Sequence, residues 1–127
     1  MARAKILVAE DDEDVGAYIK KCLERAGFSV VGVVTTAEQA VAAAKSSTPD
    51  LVLMEMTLPG NMDGVDAAEQ IRMQLSIPVV YLASSADEKT QERAKASKPS
   101  GLLRKPFNGY ELQMTLDSAM HTTSFAR

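Results

Sequence analysis

Five short apolar runs alternate along this chain with longer segments in which apolar residues recur at the spacing of a helix. The runs lie at residues 5–9, 30–34, 51–55, 79–83 and 101–104. Strands that are apolar along their whole length are typical of parallel sheets buried on both faces, and parallel strands need long, usually helical, connections. The pattern predicts an α/β fold in which helices cover both faces of a five-stranded parallel sheet.

The segments between the runs indicate where the helices begin and end. In the first segment apolar residues recur from Val15 to Ala26, and Gly27 is a natural stop. Thr35 and Glu38 fit a capping box at the start of the second helix. The later helices are predicted at residues 64–75, 87–96 and 108–120. Right-handed crossovers through these helices make the sheet doubly wound, with the flavodoxin-like strand order 2-1-3-4-5.

Length and composition limit the class of protein. A chain of 127 residues is one domain by size, and we expect a domain over residues 1–121 followed by a disordered tail at 122–127. The net charge of −3 predicts no direct nucleic-acid binding, and no apolar run is long enough to span a membrane. The single cysteine, Cys22, excludes an internal disulfide. Since no secretory signal is present either, the expected location is the cytoplasm.

Acidic side chains follow the first and third strands. Glu10 and Asp11 come directly after the first run, and Glu55 ends the third. In a doubly wound sheet the ends of these two strands meet at the switch point, where ligands bind. Carboxylates that share one cleft repel each other, and oxygen ligands of this kind suit Mg²⁺. Lys105 follows the fifth run and precedes Pro106, so it is placed to bring a positive charge to the same cleft through a bond that can be cis.

Five segments in this order resemble the response-regulator receiver family. They are ILVAEDD at 6–12, PDLVLME at 49–55, LPGNMDG at 58–64, PVVYLA at 78–83 and KPF at 105–107. The resemblance covers almost the whole chain. It implies that Glu10 and Asp11 are the acidic pair of a Mg²⁺ site, with Asp11 a direct ligand. It also implies that Thr57 adds a backbone carbonyl to the metal, that Lys105 contacts a phosphoryl group, and that Glu55 stands beside the metal at the phosphoryl-accepting position.

Three positions depart from the family at the site itself. The accepting aspartate is replaced by Glu55, whose extra methylene spoils the geometry for in-line attack. Ala83 lacks the hydroxyl that the family carries at the end of the fourth strand, and Leu102 lacks the switching aromatic ring of the fifth. Ser84 offers a hydroxyl one residue later, but alternation along a strand predicts that it points the other way. The departures predict that a phosphorylation-driven switch is impaired.

The main hypothesis is a stand-alone receiver-like signalling module of a two-component phosphorelay, which acts by protein–protein interaction and is not an enzyme. On this hypothesis the chain is a pseudo-receiver or, because Glu55 stands beside Lys105, a fixed-state mimic of the phosphorylated form. The expected partner is a histidine kinase or another signalling protein, bound through the face of the fourth helix, fifth strand and fifth helix.

Two other functions compete with this hypothesis. A conventional response regulator would accept a phosphoryl group on another carboxylate, such as Asp11 or Asp12, and hydrolyse it with its own site. A flavodoxin-like flavin or nucleotide binder would share the topology, but the acidic loop after the first strand would repel a phosphate.

Overall fold

The computed structural model describes residues 4–84 and 88–126, with side chains described as far as residue 121. Five strands form one parallel sheet in the predicted order, β2-β1-β3-β4-β5. The strands are β1 Lys5–Ala9, β2 Ser29–Val34, β3 Leu51–Glu55, β4 Val79–Ala83 and β5 Gly101–Arg104. The predicted bounds are confirmed for all strands except β2, which begins one residue earlier than predicted.

Helices follow each of the five strands. They are α1 Glu13–Arg25, α2 Ala37–Ser47, α3 Gly64–Leu75, α4 Glu88–Ala96 and α5 Gly109–Ala126. The first turns of α1, α2 and α3 are capped by the side chains of Asp12, Thr36 and Asp63. Each cap oxygen accepts a hydrogen bond from a backbone N–H that the helix itself leaves unpaired. Among the described residues, no helix combines the length and the apolar character needed to cross a membrane.

Three helix ends differ from the predictions. The last helix begins at Gly109, one residue later than predicted. The N-cap of α2 is Thr36, and Glu38 does not close a capping box with Thr35 but accepts a hydrogen bond from the backbone N–H of Asn61 at 3.0 Å. The last helix continues to Ala126, so it includes the segment 121–126 beyond its predicted end at residue 120. That segment contains neither glycine nor proline, so no residue in it stops a helix.

The sheet separates two apolar layers. On one face α2, α3 and α4 pack against the sheet, and on the other face α1 and α5 do so. Every residue of β3 and β4 is buried, which is why these strands are apolar along their whole length. The side chains of Leu53, Met54 and Tyr81 are fully covered. The strand ends that carry the polar groups therefore project from a close-packed core.

Candidate functional site

Three parallel strands bring charged residues to one edge of the sheet. β1 is followed by Glu10, β3 ends at Glu55, and β5 is followed by Lys105. Two of these residues extend the backbone ladders: Glu10 donates its N–H to the carbonyl of Val34 at 2.9 Å, and Lys105 donates to that of Ala83 at 2.8 Å. The Lys105–Pro106 peptide bond is cis. Because the sheet holds the backbone of each residue, the three side chains meet in one pocket.

The pocket contains a buried cluster of two carboxylates and one ammonium. Lys105 Nζ lies 2.5 Å from Glu10 Oε1 and 3.4 Å from Glu55 Oε2. Glu10 is 1% exposed and Glu55 is 3% exposed, whereas the Lys105 side chain retains 18% exposure. Among the described residues, only this ammonium contacts the two buried oxygens that face it. Lys105 is therefore the group that compensates the charge of both glutamates.

The other oxygen of each glutamate accepts a hydrogen bond. Glu10 Oε2 accepts from the backbone N–H of Asp12 at 3.1 Å. Glu55 Oε1 accepts from the Ser84 hydroxyl at 3.2 Å. The prediction that Ser84 points away from the site is therefore wrong. β4 ends at Ala83, so the alternation of a strand no longer governs the direction of the next side chain.

The electrostatics of the pocket follow from burial and from these contacts. Burial raises the pKa of the Glu55 carboxyl above its ordinary value; Lys105 opposes that rise, and the charge of Glu10 adds to it. Burial by itself lowers the pKa of Lys105, but its hydrogen bond to Glu10 and the charge of Glu55 outweigh burial and leave the pKa raised. Lys105 therefore stays protonated at neutral pH and holds the two carboxylates together.

The structure brings two of the four predicted Mg²⁺ ligands, Glu10 and Glu55, into one pocket, where both face Lys105. The Asp11 side chain is exposed, and the backbone carbonyl expected from Thr57 stays a prediction. Within residues 4–84 and 88–121, no group of three or more histidine, cysteine, aspartate or glutamate side chains is arranged to hold a metal. In this arrangement the Lys105 ammonium compensates the charge of the two glutamates that the resemblance assigns to a Mg²⁺ site.

Ala83 and Leu102, the positions expected to lack a hydroxyl and an aromatic ring, line one cavity. It lies beneath α4, has a volume of about 60 Å³, and is also lined by Met56 and Tyr81. The Tyr81 hydroxyl is satisfied by the Ser97 hydroxyl at 2.8 Å, so the buried phenol does not need water in the cavity. The space therefore lies next to the two positions that, by the resemblance, are expected to lack a hydroxyl and an aromatic ring.

The loop between β3 and α3 is held from three sides. The backbone N–H of Gly64 donates to the carbonyl of Met56 at 2.9 Å, and Glu38 anchors Asn61 from α2. Asp63 forms a capping box with Asp66 at the start of α3. These contacts set the backbone directly after Glu55, so the loop helps to position that carboxylate.

Arg93 connects α4 to the same loop. Its guanidinium contacts Asp63 Oδ2 at 2.9 Å and Asp66 Oδ1 at 2.6 Å. Burial by itself raises the pKa of Asp63, but the hydrogen bonds from Arg93 and from the Asp66 backbone outweigh burial and lower the pKa. Because α4 buries only Ala94 fully, this ion pair is a main attachment of the helix to α3.

Replacing Arg93 by glutamine is expected to lower the free energy of unfolding by about 1 kcal/mol, because the Arg93 side chain is 45% exposed and water screens the pair. The lowered pKa of Asp63 means that its contribution is present above the ordinary aspartate pKa and is lost as pH falls through the lowered one. Urea denaturation at neutral and acidic pH measures both effects. Lys95→Gln removes a charge from the same helix and is the control. Equal stability of the two variants at neutral pH would contradict the assignment.

Sequence reasoning missed two parts of this site. It placed the acidic residues and Lys105 correctly at the strand ends, but it gave no role to Arg93 and directed Ser84 away. The only local signal for the Arg93 contact was Asp63, which stands before the first turn of α3 as an N-cap. Its partner lies 30 residues further along the chain.

A parallel sheet in the order 2-1-3-4-5 with carboxylates and a lysine at its carboxyl edge is typical of signalling receiver domains. The model of the response regulator receiver domain family matches residues 6–117, and the chain belongs to this family. It is thus a receiver domain of the two-component response-regulator type. Receiver domains generally bind Mg²⁺ at the acidic site and interact with histidine kinases and other signalling proteins.

Two curated relatives illustrate the similarity. The transcriptional regulatory protein PdtaR of Mycobacterium tuberculosis is 30% identical over 116 residues, which are 91% of this chain and 56% of that protein. The DNA-binding response regulator MtrA of Mycobacterium leprae is 32% identical over 110 residues, which are 87% of this chain and 48% of that protein. The chain therefore spans about half the length of these relatives.

Solved structures show the same fold. The signal receiver domain of a modulated diguanylate cyclase from Desulfovibrio desulfuricans G20 superposes with a TM-score of 0.93 at 31% identity, covering 98% of both chains. NtrX from Brucella abortus superposes with a TM-score of 0.89 at 27% identity, covering 100% of this chain and 28% of NtrX. The described sheet and helices are therefore those of a receiver domain.

Proposed function

We propose that this receiver domain works as a pseudo-receiver that signals in one fixed state, and that it is not an enzyme. The observation that carries the proposal is that both carboxylate oxygens of Glu55 already contact protein groups. Glu55 is 3% exposed, and its oxygens lie 3.2 Å from the Ser84 hydroxyl and 3.4 Å from Lys105 Nζ. An accepting carboxylate needs one oxygen in line with the incoming phosphorus. Both oxygens of Glu55 are already directed at protein groups, so attack on a phosphodonor is disfavoured.

The side chains that contact Glu55 support the proposal that this domain mimics the phosphorylated form. Positively charged side chains and hydrogen-bond donors are the groups that stabilise a transferred phosphoryl group. Ser84 and Lys105 direct groups of this kind at the Glu55 carboxylate. Because the pair with Lys105 is buried, salt screens it weakly and it does not depend on a phosphodonor. Mg²⁺ binding is weak in this proposal, since the ion has to displace Lys105 from both glutamates.

Phosphorylation of the wild-type chain tests the proposal. We expect no measurable addition of a phosphoryl group when the protein is incubated with acetyl phosphate and Mg²⁺ and its intact mass is recorded. Glu55→Asp is expected to raise the labelling rate by on the order of 100-fold, because the shorter side chain withdraws its oxygens from Ser84 and Lys105 and leaves room for in-line attack.

Glu55→Asn is the matched control, because it has the length of the aspartate variant without its nucleophilic oxygen. Stoichiometric, Mg²⁺-dependent labelling of Glu55 in the wild-type chain would refute the fixed-state proposal. Equal labelling of wild type and Glu55→Asp on Asp11 or Asp12 would instead favour a conventional response regulator that accepts at another carboxylate. Tandem mass spectrometry of the labelled peptides separates these two results.

The proposed partner is a histidine kinase or another signalling protein that binds the face of α4, β5 and α5. Large apolar side chains are exposed on β5 and α5: Leu102 is 39% exposed, Tyr110 71% and Met114 51%. Large exposed apolar and aromatic side chains on adjacent elements are typical of protein interfaces. In this proposal the domain acts in the cytoplasm through protein contacts and contacts neither nucleic acid nor a membrane directly.

A further inference from the structure

The cavity beneath α4 runs from the core to the surface. Met56, Tyr81 and Ala83, which line its inner part, are buried, whereas Leu102 on its wall is 39% exposed. Its volume is about 60 Å³, and its inner walls are mainly apolar. An apolar cavity of about 150 Å³ holds benzene. The smaller cavity therefore accommodates one aliphatic side-chain end rather than a ring.

The outer part of the same cavity carries positive charge. Lys95 of α4 and Arg104 of β5 line it and are both exposed. No aspartate or glutamate lies among the described lining residues, although the chain as a whole has a net charge of −3. A local pair of cations beside an apolar hole is complementary to an apolar side chain with carboxylates next to it.

We propose that this cavity is a socket for one aliphatic side chain, leucine or methionine, of an acidic segment in a partner signalling protein. The proposal rests on the proposed function, in which the domain acts through protein contacts in a fixed state. Ala83 and Leu102 acquire a role in it: the small side chain leaves the socket empty, and the exposed leucine forms its edge. Tyr110 and Met114, one turn apart on the helix that packs on β5, are further exposed apolar side chains on the proposed partner face.

Two matched peptides test the socket. The probes are acetylated, amidated Asp-Glu-Leu-Glu-Asp and Asp-Glu-Ala-Glu-Asp, titrated into the full chain without phosphodonor or Mg²⁺. Methyl resonances in ¹H–¹³C NMR spectra give the binding site and the dissociation constants. We expect the leucine peptide to shift the methyl signals of Ala83, Ala94 and Leu102 and to bind roughly tenfold more tightly than the alanine peptide, because only leucine reaches the apolar part.

Two variants separate the apolar and the charged parts of the socket. Ala83→Leu fills the cavity from inside and is expected to abolish the preference for the leucine peptide, with retained methyl dispersion as the check of folding. The double variant Lys95→Glu/Arg104→Glu changes only exposed side chains and is expected to weaken the leucine peptide roughly tenfold. The preference for leucine over alanine is expected to survive this double variant.

Several results would overturn the socket. Equal binding of the two peptides would do so, as would shifts confined to α1, or no binding of either peptide. Concentration-dependent shifts of the Ala83 and Leu102 methyls without peptide would assign the cavity to a second copy of the chain instead. The test is independent of phosphorylation: labelling of Glu55 would refute the fixed state alone, and failure of the peptides with Glu55 unlabelled would refute the socket alone.

Discussion

Replacing Gly64 by alanine is expected to lower the free energy of unfolding by about 3 kcal/mol and to displace Glu55. A Cβ added at Gly64 would lie 1.8 Å from the carbonyl oxygen of Glu55 and 3.0 Å from that of Met56. Both obstacles are backbone atoms, so the strain cannot be relieved by a side-chain rotation. Urea denaturation measures the loss of stability, and methyl NMR of Met54 and Met56 reports the displaced strand end.

Gly109→Ala is the matched control for this substitution. Gly109 is also the first residue of a helix, but a Cβ there would have its nearest neighbour, Cys22 Sγ, at 3.5 Å. That distance is an ordinary van der Waals contact, so we expect a change within about 0.5 kcal/mol. If the two alanine variants were equally stable, the close approach of α3 to the end of β3 would not constrain the pocket.

Replacing Lys105 by methionine is expected to cost about 3 kcal/mol of folding free energy at neutral pH, because it leaves two buried carboxylates facing each other without a cation. The raised pKa of Glu55 makes its ionisation unfavourable to folding, so stability falls as pH rises from the ordinary glutamate pKa to the raised one. In the Lys105→Met variant, which lacks the ammonium, this fall of stability with rising pH becomes larger. The loss measured by urea denaturation should therefore shrink as the pH is lowered and Glu55 becomes protonated.

At alkaline pH the stability of the wild-type protein depends on the protonation of Lys105 instead. The raised pKa of Lys105 means that its contribution to wild-type stability is complete below the ordinary lysine pKa and is lost as pH rises through the raised one. The double variant Glu55→Gln/Lys105→Met is the control, and it should recover part of the stability at neutral pH because one buried charge is gone. A Lys105→Met variant as stable as wild type at neutral pH would show that the ammonium does not hold the carboxylates.

Much of the fold was predictable because its strands are buried on both faces. A strand such as β3, in which every residue is covered, has to be apolar throughout, and that pattern is visible without any structure. The N-cap Asp63 was not assigned, although its residue type and its position before Gly64 fit one. Local patterns of this kind depend only on neighbouring residues.

The errors and omissions concern contacts between distant segments. Glu38 could either close a capping box with Thr35 or accept a hydrogen bond from another segment. Only the proximity of Asn61, 23 residues away, shows which contact the fold selects. Ser84 follows the last residue of β4, so its direction depends on how the chain bends there. The link from Arg93 to Asp63 crosses 30 residues between two helices. None of these contacts has a periodicity from which it can be inferred.

By itself, the sequence determined the order of strands and helices and the presence of Glu10, Glu55 and Lys105 at the strand ends, because apolar periodicity and sheet topology are sufficient for both. The tertiary structure decided which atoms meet. It places one ammonium between two buried glutamates and turns Ser84 towards Glu55. It also leaves a cavity lined by Ala83 and Leu102. Those outcomes depend on distances of a few ångströms between separate segments, which no local pattern encodes.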